Sequence, residues 1–218
     1  MKVRIHWVRN PKRSGSRRKL RQILRWTERF LIAAACLILG FCAWIFVNAA
    51  RFQTEEAQQF KRLIPRTARS LPSPPVLLQE GAAFSKLDIP SAGISVIVAE
   101  GVTDNTLQRA VGHVPGTALP GEAGNVGIAG HRDTFFRALR NVKAEDRVSL
   151  TTAHGTFEYF VEWVKIVDPE DVGVLASTEE PVLTLVTCYP FYYVGAAPHR
   201  YIVRARLEQP YSALAIEK

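Results

Sequence analysis

The chain has 218 residues, a net charge of +8 and an apolar fraction of 47%, which is room for one domain with accessory segments. Eleven of its 28 Lys/Arg stand in residues 1–29 beside a single acid, Glu28, so a local balance of +10 leaves −2 for everything after it. The basic character is confined to this first stretch, and the remainder gives no reason to expect a nucleic-acid partner.

The basic stretch runs into FLIAAACLILGFCAWIFVNAA at 30–50, which has no charge and no proline. Twenty-one such residues are enough to cross a hydrocarbon core. A helix buried in a soluble core would carry a polar stripe, and this one is apolar all round. VNA at 47–49 resembles a cleavage site, but the apolar run exceeds the 7–15 residues of a signal peptide, so an uncleaved anchor is expected. Lys/Arg on the N-terminal flank predict a single-pass protein of the cell membrane, with residues 1–29 as a cytoplasmic tail and everything after the 30–50 anchor outside. Residues 51–83 are expected to form a stalk. RFQTEEAQQFKRLI continues the helix for a few turns, and PRTARSLPSPPVLLQEGAA, with four prolines, suits an extended spacer.

From Ser85 onward the character changes to short strand-like runs split by Gly, Pro and Asp. Strands are predicted at 85–89, 94–99, 125–130, 147–152, 156–167, 181–188 and 200–207. The long 156–167 run is expected to bend or to split in two, the split giving eight strands, after a hairpin turned at His154-Gly155. VTDNTLQRAVG predicts one short helix capped by Thr103 or Asp104, and TFFRALR a further helical turn. In RYIVRARL, Tyr201, Val203, Ala205 and Leu207 share one face, the core face, while Arg200, Arg204 and Arg206 share the other. So many closely spaced strands imply a mainly β domain, a sandwich or closed barrel, of about 125 residues at 84–210, followed by a short tail at 211–218.

Cysteine usage narrows the chemistry. Cys36 and Cys42 lie in the apolar segment and read as small apolar residues. Cys188, in TLVTCYP at 184–190, is alone in the exported half, where disulfide staples would need an even number. A lone thiol at a strand exit suits a nucleophile, which needs a proton acceptor and donors for an oxyanion. His131 directly follows the strand NVGIAG, whose glycines allow close backbone approach. His113 sits in a Gly/Pro-rich loop, His154 in a turn, and His199 just before Arg200.

These residues reach a family. TLVTC resembles the TLxTC signature of sortases, the membrane-anchored cysteine transpeptidases of the bacterial surface. NVGIAGHRDTFFRALRNV is similar to their histidine segment and PHRYIVRARL to their arginine strand. LDIPSAGISVIVAEGV, the GHVPGTALPGEAGN segment and CYPF are similar to class D sortases in particular. The resemblance spans about residues 84–207, with three motifs in family order. It implies a closed eight-stranded β-barrel with short helices. It makes Cys188 the nucleophile, His131 the acid–base and Arg200 the oxyanion and substrate clamp. Arg204, on the same face, is the alternative to Arg200. It and Thr187 are the further candidate substrate-binding residues, Thr187 more simply as a packing or hydrogen-bonding neighbour of the thiol. Asp133 could orient His131 or cap the following turn. The implied partners are secreted proteins bearing an LPxTG-like signal and an amine acceptor from a peptidoglycan precursor or a pilin lysine. Nothing resembles the acidic calcium cluster of some class A members, so neither metal nor cofactor is expected.

Other readings fit less well. L,D-transpeptidases need a Ser-x-Gly-Cys-type loop, and papain-like enzymes place the cysteine ahead of the histidine on a helix. A zinc site would need closely spaced ligands, which are missing here. A non-catalytic anchored β-domain would have no use for His131, Cys188 and Arg200 together. Hydrolysis of the same signals without transfer is the nearest alternative.

Overall fold

The computed structural model describes residues 13–63 and 78–208. Residues 1–12, the part of the expected spacer that holds its prolines (64–77) and the tail from 209 lie outside the described residues. The chain divides into two compact units between Val47 and Asn48.

The first unit is carried by helix α1 (Arg13–Leu63), which continues into the second. It starts well before the apolar run, because Arg, Lys, Leu and Gln are good helix formers. Its apolar side chains point outward, Phe30 74% and Leu37 75% exposed. Burying such surface is worth about 25 cal/mol per Å², so these side chains call for an apolar surrounding. By length and composition this is the one described helix suited to crossing a membrane, and it suggests membrane anchoring. Within the second unit, residues expected as stalk are attached to the domain. Gln53 Oε1 accepts from the Ile97 amide at 2.8 Å and its Nε2 donates to the Arg109 carbonyl at 2.7 Å. The Arg109 guanidinium lies 5.0 Å from the Phe52 ring.

The second unit is an eight-stranded closed barrel, as the resemblance implies. Its strands are β1 (Ala83–Ile89), β2 (Ile94–Glu100), β3 (Val111–His113), β4 (Asn125–Ala129), β5 (Arg147–Thr152), β6 (Gly155–Val167), β7 (Val182–Tyr189) and β8 (His199–Leu207). Around the barrel they run β1-β2-β3-β4-β7-β8-β6-β5, and β5 closes on β1. Closure leaves no unpaired edge. Pairing is antiparallel except β2 with β3 and β4 with β7. Alternate residues fill the interior: Leu87 and Ile89, Val126 and Ile128, Leu183 and Leu185, Val203 and Ala205. Phe136 and Leu139 add to this core from the chain after β4.

Of the two expectations for the long 156–167 run the bend holds and the split does not, so the eighth strand arises elsewhere. The 156–167 run stays one strand, β6, bent by a register shift between Val161 and Trp163. The additional strand is β3, only three residues long, too short for any periodicity to reveal it. It takes the end of the expected helix, which reduces to α2 (Asp104–Leu107) with Thr103 accepting from the Thr106 amide as its cap. The expected turn at TFFRALR is a 3-10 turn, Arg137–Asn141, with Phe136 at its start and no side-chain cap. Asp133 is exposed and does not cap it.

Candidate active site

Three neighbouring strands, β4, β7 and β8, define the site. On β7, Leu183 and Leu185 point into the barrel, so Thr184, Val186 and Cys188 face outward by alternation. Cys188, half-buried, is paired directly with Arg200 of β8, and residues directly opposite on one face have Cβ atoms about 4.5–5.5 Å apart. The parallel ladder between β4 and β7 ends at Ala129 opposite Val186. Two residues further on, the chains reach His131 and Cys188, at neighbouring strand exits. Between them, the Gly130 amide donates to the Val186 carbonyl at 3.1 Å and the buried Thr187 hydroxyl donates to the Gly130 carbonyl at 2.7 Å. Thr187 therefore ties the residue before the thiol to the residue before the histidine.

Glycine gives room for two close approaches, on β4 and at its exit. A Cβ on Gly130 would stand 2.8 Å from Phe136 Cδ2 and 3.0 Å from Val111 Cγ1. On Gly127 it would stand 2.9 Å from Leu175 Cδ2 and 3.1 Å from Thr117 Cγ2. The connections before β4 and before β7 thus close over the strand at Gly127. The second is pinned there by polar side chains that sequence reasoning overlooked. Asn125 Nδ2 donates to the Val174 and Ala176 carbonyls at 3.0 and 3.1 Å, while its Oδ1 accepts from Thr184 at 2.6 Å. The available signal was a polar residue opening an otherwise apolar strand.

The two candidate arginines differ. Arg200 Nη1 donates to the carbonyls of Ala197 and His199, at 3.3 and 3.1 Å, beside Cys188. Arg204 is opposite Thr184, and its Nη2 donates to the Val174 carbonyl at 2.8 Å. Its guanidinium lies 5.4 Å from the Trp163 ring, and its Nε is buried without a partner. Burial lowers its pKa, against the pull of Glu162. The other histidines serve elsewhere. His113 is buried, with Nδ1 2.7 Å from Glu100 and Nε2 3.0 Å from the Ala118 carbonyl. His154 is exposed at the β5–β6 turn, and His199 Nδ1 lies 3.2 Å from Asp168.

Beyond Cys188, Tyr189, Phe191 and Tyr201 form an aromatic cluster with ring centroids 5.1–6.1 Å apart. Burial raises the Tyr201 pKa, and Tyr189 adds to the effect. Chemically, a thiol, an imidazole and a guanidinium at adjacent strand ends suit acyl transfer through a thioester.

Comparisons with known proteins agree with this architecture. The Sortase domain family matches residues 87–208. Sortase D of Bacillus subtilis is 32% identical over 185 residues, covering 80% of this chain and 93% of that protein. The structure of a Clostridium perfringens Sortase D5 transpeptidase superposes with a TM-score of 0.62 at 27% identity, covering 73% of this chain and 99% of the other. A mutant of sortase E from Streptomyces avermitilis gives 0.53 at 31% identity, over 60% and 91% of the two chains. With its closed barrel and its His–Cys–Arg order, this chain belongs to the sortase family, generally cysteine transpeptidases, and is class D-like.

Proposed function

We propose that the protein is a membrane-anchored transpeptidase that cleaves an LPxTG-like signal of secreted proteins and joins it to an amine of the cell envelope or of a pilin. The pairing of Cys188 with Arg200 beside the exit of β4 carries this reading. The Cys188 thiolate attacks the carbonyl of the Thr–Gly or Thr–Ala bond. A C–S bond forms, the C–N bond breaks, and the amine leaves with a proton from His131. The acceptor amine then attacks the thioester, forming a new C–N bond, while His131 takes its proton and the thiolate departs. Arg200 stabilises the oxyanion of both steps and holds the substrate backbone. Thr187 and Arg204 act through the backbone segments they fix rather than by touching the reacting bond. In this reading residues 1–29 are cytoplasmic, 30–50 span the membrane, 51–83 connect, and 84–210 work outside the cell.

The test uses the full chain in detergent micelles with fluorogenic LPxTG, LPxTA and LAxTG peptides. Each is run with and without an added amine, and products are identified by mass. Cleavage that requires Cys188 and yields an amine-ligated product is the expected result. Cleavage without ligation by any amine would make the protein a hydrolase of these signals. No Cys188-dependent turnover on any peptide would defeat the reading.

A further inference from the structure

We infer that Phe52 and Gln53 clamp the end of the anchor helix to the catalytic end of the barrel, so that Cys188 works at a fixed, short distance from the membrane surface and not on a stalk. The inference rests on the membrane-anchored transpeptidase reading and adds where that enzyme's thiol stands. Phe52 and Gln53 are positioning residues and touch no reacting atom. Ala50 closes the apolar run, and Gln53 follows three residues later in the same helix, a rise of about 5 Å. Both belong to the compact unit of the barrel, which begins at Asn48.

The register puts the Gln53 contact at the level of the thiol. Val186 of β7 is opposite Ala129 of β4, Ala129 is opposite Gly112 of β3, and Gly112 is opposite Ala99 of β2. Two residues further towards the catalytic end, the same row reads Cys188, His131, Ala110 and Ile97. Gln53 bonds the Ile97 amide and the Arg109 carbonyl, at 2.8 and 2.7 Å. A carboxamide that accepts and donates at once acts as a peptide group does. Here it supplies a rung between β2 and the chain entering β3, just before their ladder opens at Val98 and Val111. Ile97 alternates with the core residues Val96 and Val98, so it faces outward, yet it is only 1% exposed. The outer face of the barrel is covered at this row. Strands lie about 4.8 Å apart, so the three steps from β7 to β2 span about 15 Å. Adding the Gln53 side chain and its short stretch of helix leaves the thiol within about 25 Å of Ala50.

The chain returning to β1 meets the same corner. The Arg109 guanidinium lies 5.0 Å from the Phe52 ring, and a Cβ on Gly81 would stand 3.6 Å from Arg109 Nη2. The Gly81 amide donates to the Glu100 carbonyl at 2.8 Å, and Glu80 Oε1 accepts from the hydroxyls of Thr103 and Thr106 at 2.9 and 3.1 Å. The chain leaving the anchor and the chain entering β1 thus converge on Arg109, whatever path residues 64–77 take between them. Free and extended, residues 51–83 could hold the barrel up to about 110 Å from the membrane. Fastened at both flanks, they add no reach.

Distance is measured first. The full chain with Cys36→Ala and Cys42→Ala is placed in lipid nanodiscs and spin-labelled at Cys188 and at Asn48→Cys. Double electron–electron resonance should give one narrow distance of about 20–35 Å. Phe52→Ala/Gln53→Ala should broaden it, and Gln53→Glu, which has no N–H for the Arg109 carbonyl, should broaden it in part. A broad distribution in the parent chain, or a narrow one that the double substitution leaves unchanged, would overturn the inference. Turnover is then read on unlabelled protein in vesicles, with an LPxTG peptide joined to a lipid through about eight or about thirty residues. Effective concentration falls with about the −3/2 power of tether length, so the clamped enzyme should favour the short tether about sevenfold. Once released, residues 51–83 lengthen every tether, and the preference should fall to about twofold. The untethered peptide should be cleaved equally by parent and variant. An equal short-tether preference in both proteins would defeat the clamp. So would a loss on the untethered peptide as large as on the tethered ones, which would make the two residues purely structural. Absence of Cys188-dependent cleavage with the narrow distance intact would defeat the transpeptidase reading alone.

Discussion

The two ends of the β7–β8 ladder have the same pattern and different uses. At one end Cys188 faces Arg200, and four residues back along β7 Thr184 faces Arg204. Each end pairs a small polar side chain with an arginine on the outer face. At the Thr184 end the polar groups are engaged with one another and with the backbone: Thr184 with Asn125, and Asn125 and Arg204 with the carbonyls of 174 and 176. At the Cys188 end the thiol is half-buried, and Arg200 bonds only carbonyls of its own loop. One end is built to hold the connection before β7, and the other keeps its groups available. Position on the strand face is therefore a poor guide to role; what each group already bonds is the better one.

The largest test of this contrast is the pair of arginines. Cys188→Ala should abolish signal cleavage, and Arg200→Ala should lower kcat/KM by about 10²–10³, as removal of an oxyanion donor does. Arg204→Ala should cost no more than about tenfold, seen mainly in KM, because one hydrogen bond to the loop is lost. Equal losses in kcat for the two arginines, measured with a fluorogenic signal peptide, would erase the distinction between the ends.

Gly130→Ala tests how tightly the catalytic end is positioned. The added Cβ meets Phe136 and Val111, and overpacking of this kind costs about 1–3 kcal/mol. Urea unfolding should show that loss, and kcat should fall as well because His131 is the next residue. Adding Phe136→Leu should recover part of both. Recovery of stability without activity would mean that Gly130 serves the core and not the histidine.

At the other end, Asn125→Ala leaves two carbonyls and a hydroxyl short of a partner, at about 1–2 kcal/mol. The expected kinetic change is a raised KM for signal peptides, with kcat less affected. Alkylation of Cys188 by a small neutral reagent should proceed at the wild-type rate, since the thiol's own surroundings are intact. A large fall in kcat with unchanged KM would show that the two ends are coupled.

Sequence and structure differ in instructive places. Cys188 stands out in the chain as a lone thiol at a strand exit, whereas His131 and Arg200 are singled out by the resemblance to sortases; strand number and spacing allow a sandwich or a closed barrel, and the resemblance selects the barrel. The partner of each residue across the sheet did not stand out, since register is set by closure of the whole barrel rather than by any one strand. Short β3 is held by its neighbours β2 and β4, so three residues with no pattern of their own become a strand. β6 stays whole because one bulge bends it without ending its pairing to β8. Asn125 and Arg132 are ordinary surface residues by type, and only the tertiary contacts with residues 174–176 and 193–195 give them work to do.

The smallest effect sharpens the contrast from inside the barrel. Tyr159, on β6 opposite Leu207, is fully buried near the Thr184 end. Burial pushes its pKa up to about 12 from 10.0, outweighing the opposing effect of the Gly121 backbone, and the hydroxyl has no hydrogen-bond partner. A tyrosine whose folded pKa is raised stabilises the fold fully below the unfolded value of 10.0, and that contribution is lost as pH rises through about 12. Tyr159→Phe removes the ionisation, so its unfolding midpoint should move to higher pH within that window. At pH 7 its stability should equal or slightly exceed wild type, because an unpartnered buried hydroxyl is lost while its volume is nearly kept. Circular dichroism against pH for the two proteins measures both points. An unchanged alkaline midpoint would mean that the barrel interior opens before Tyr159 ionises, and that the Thr184 end is held less firmly than its hydrogen bonds imply.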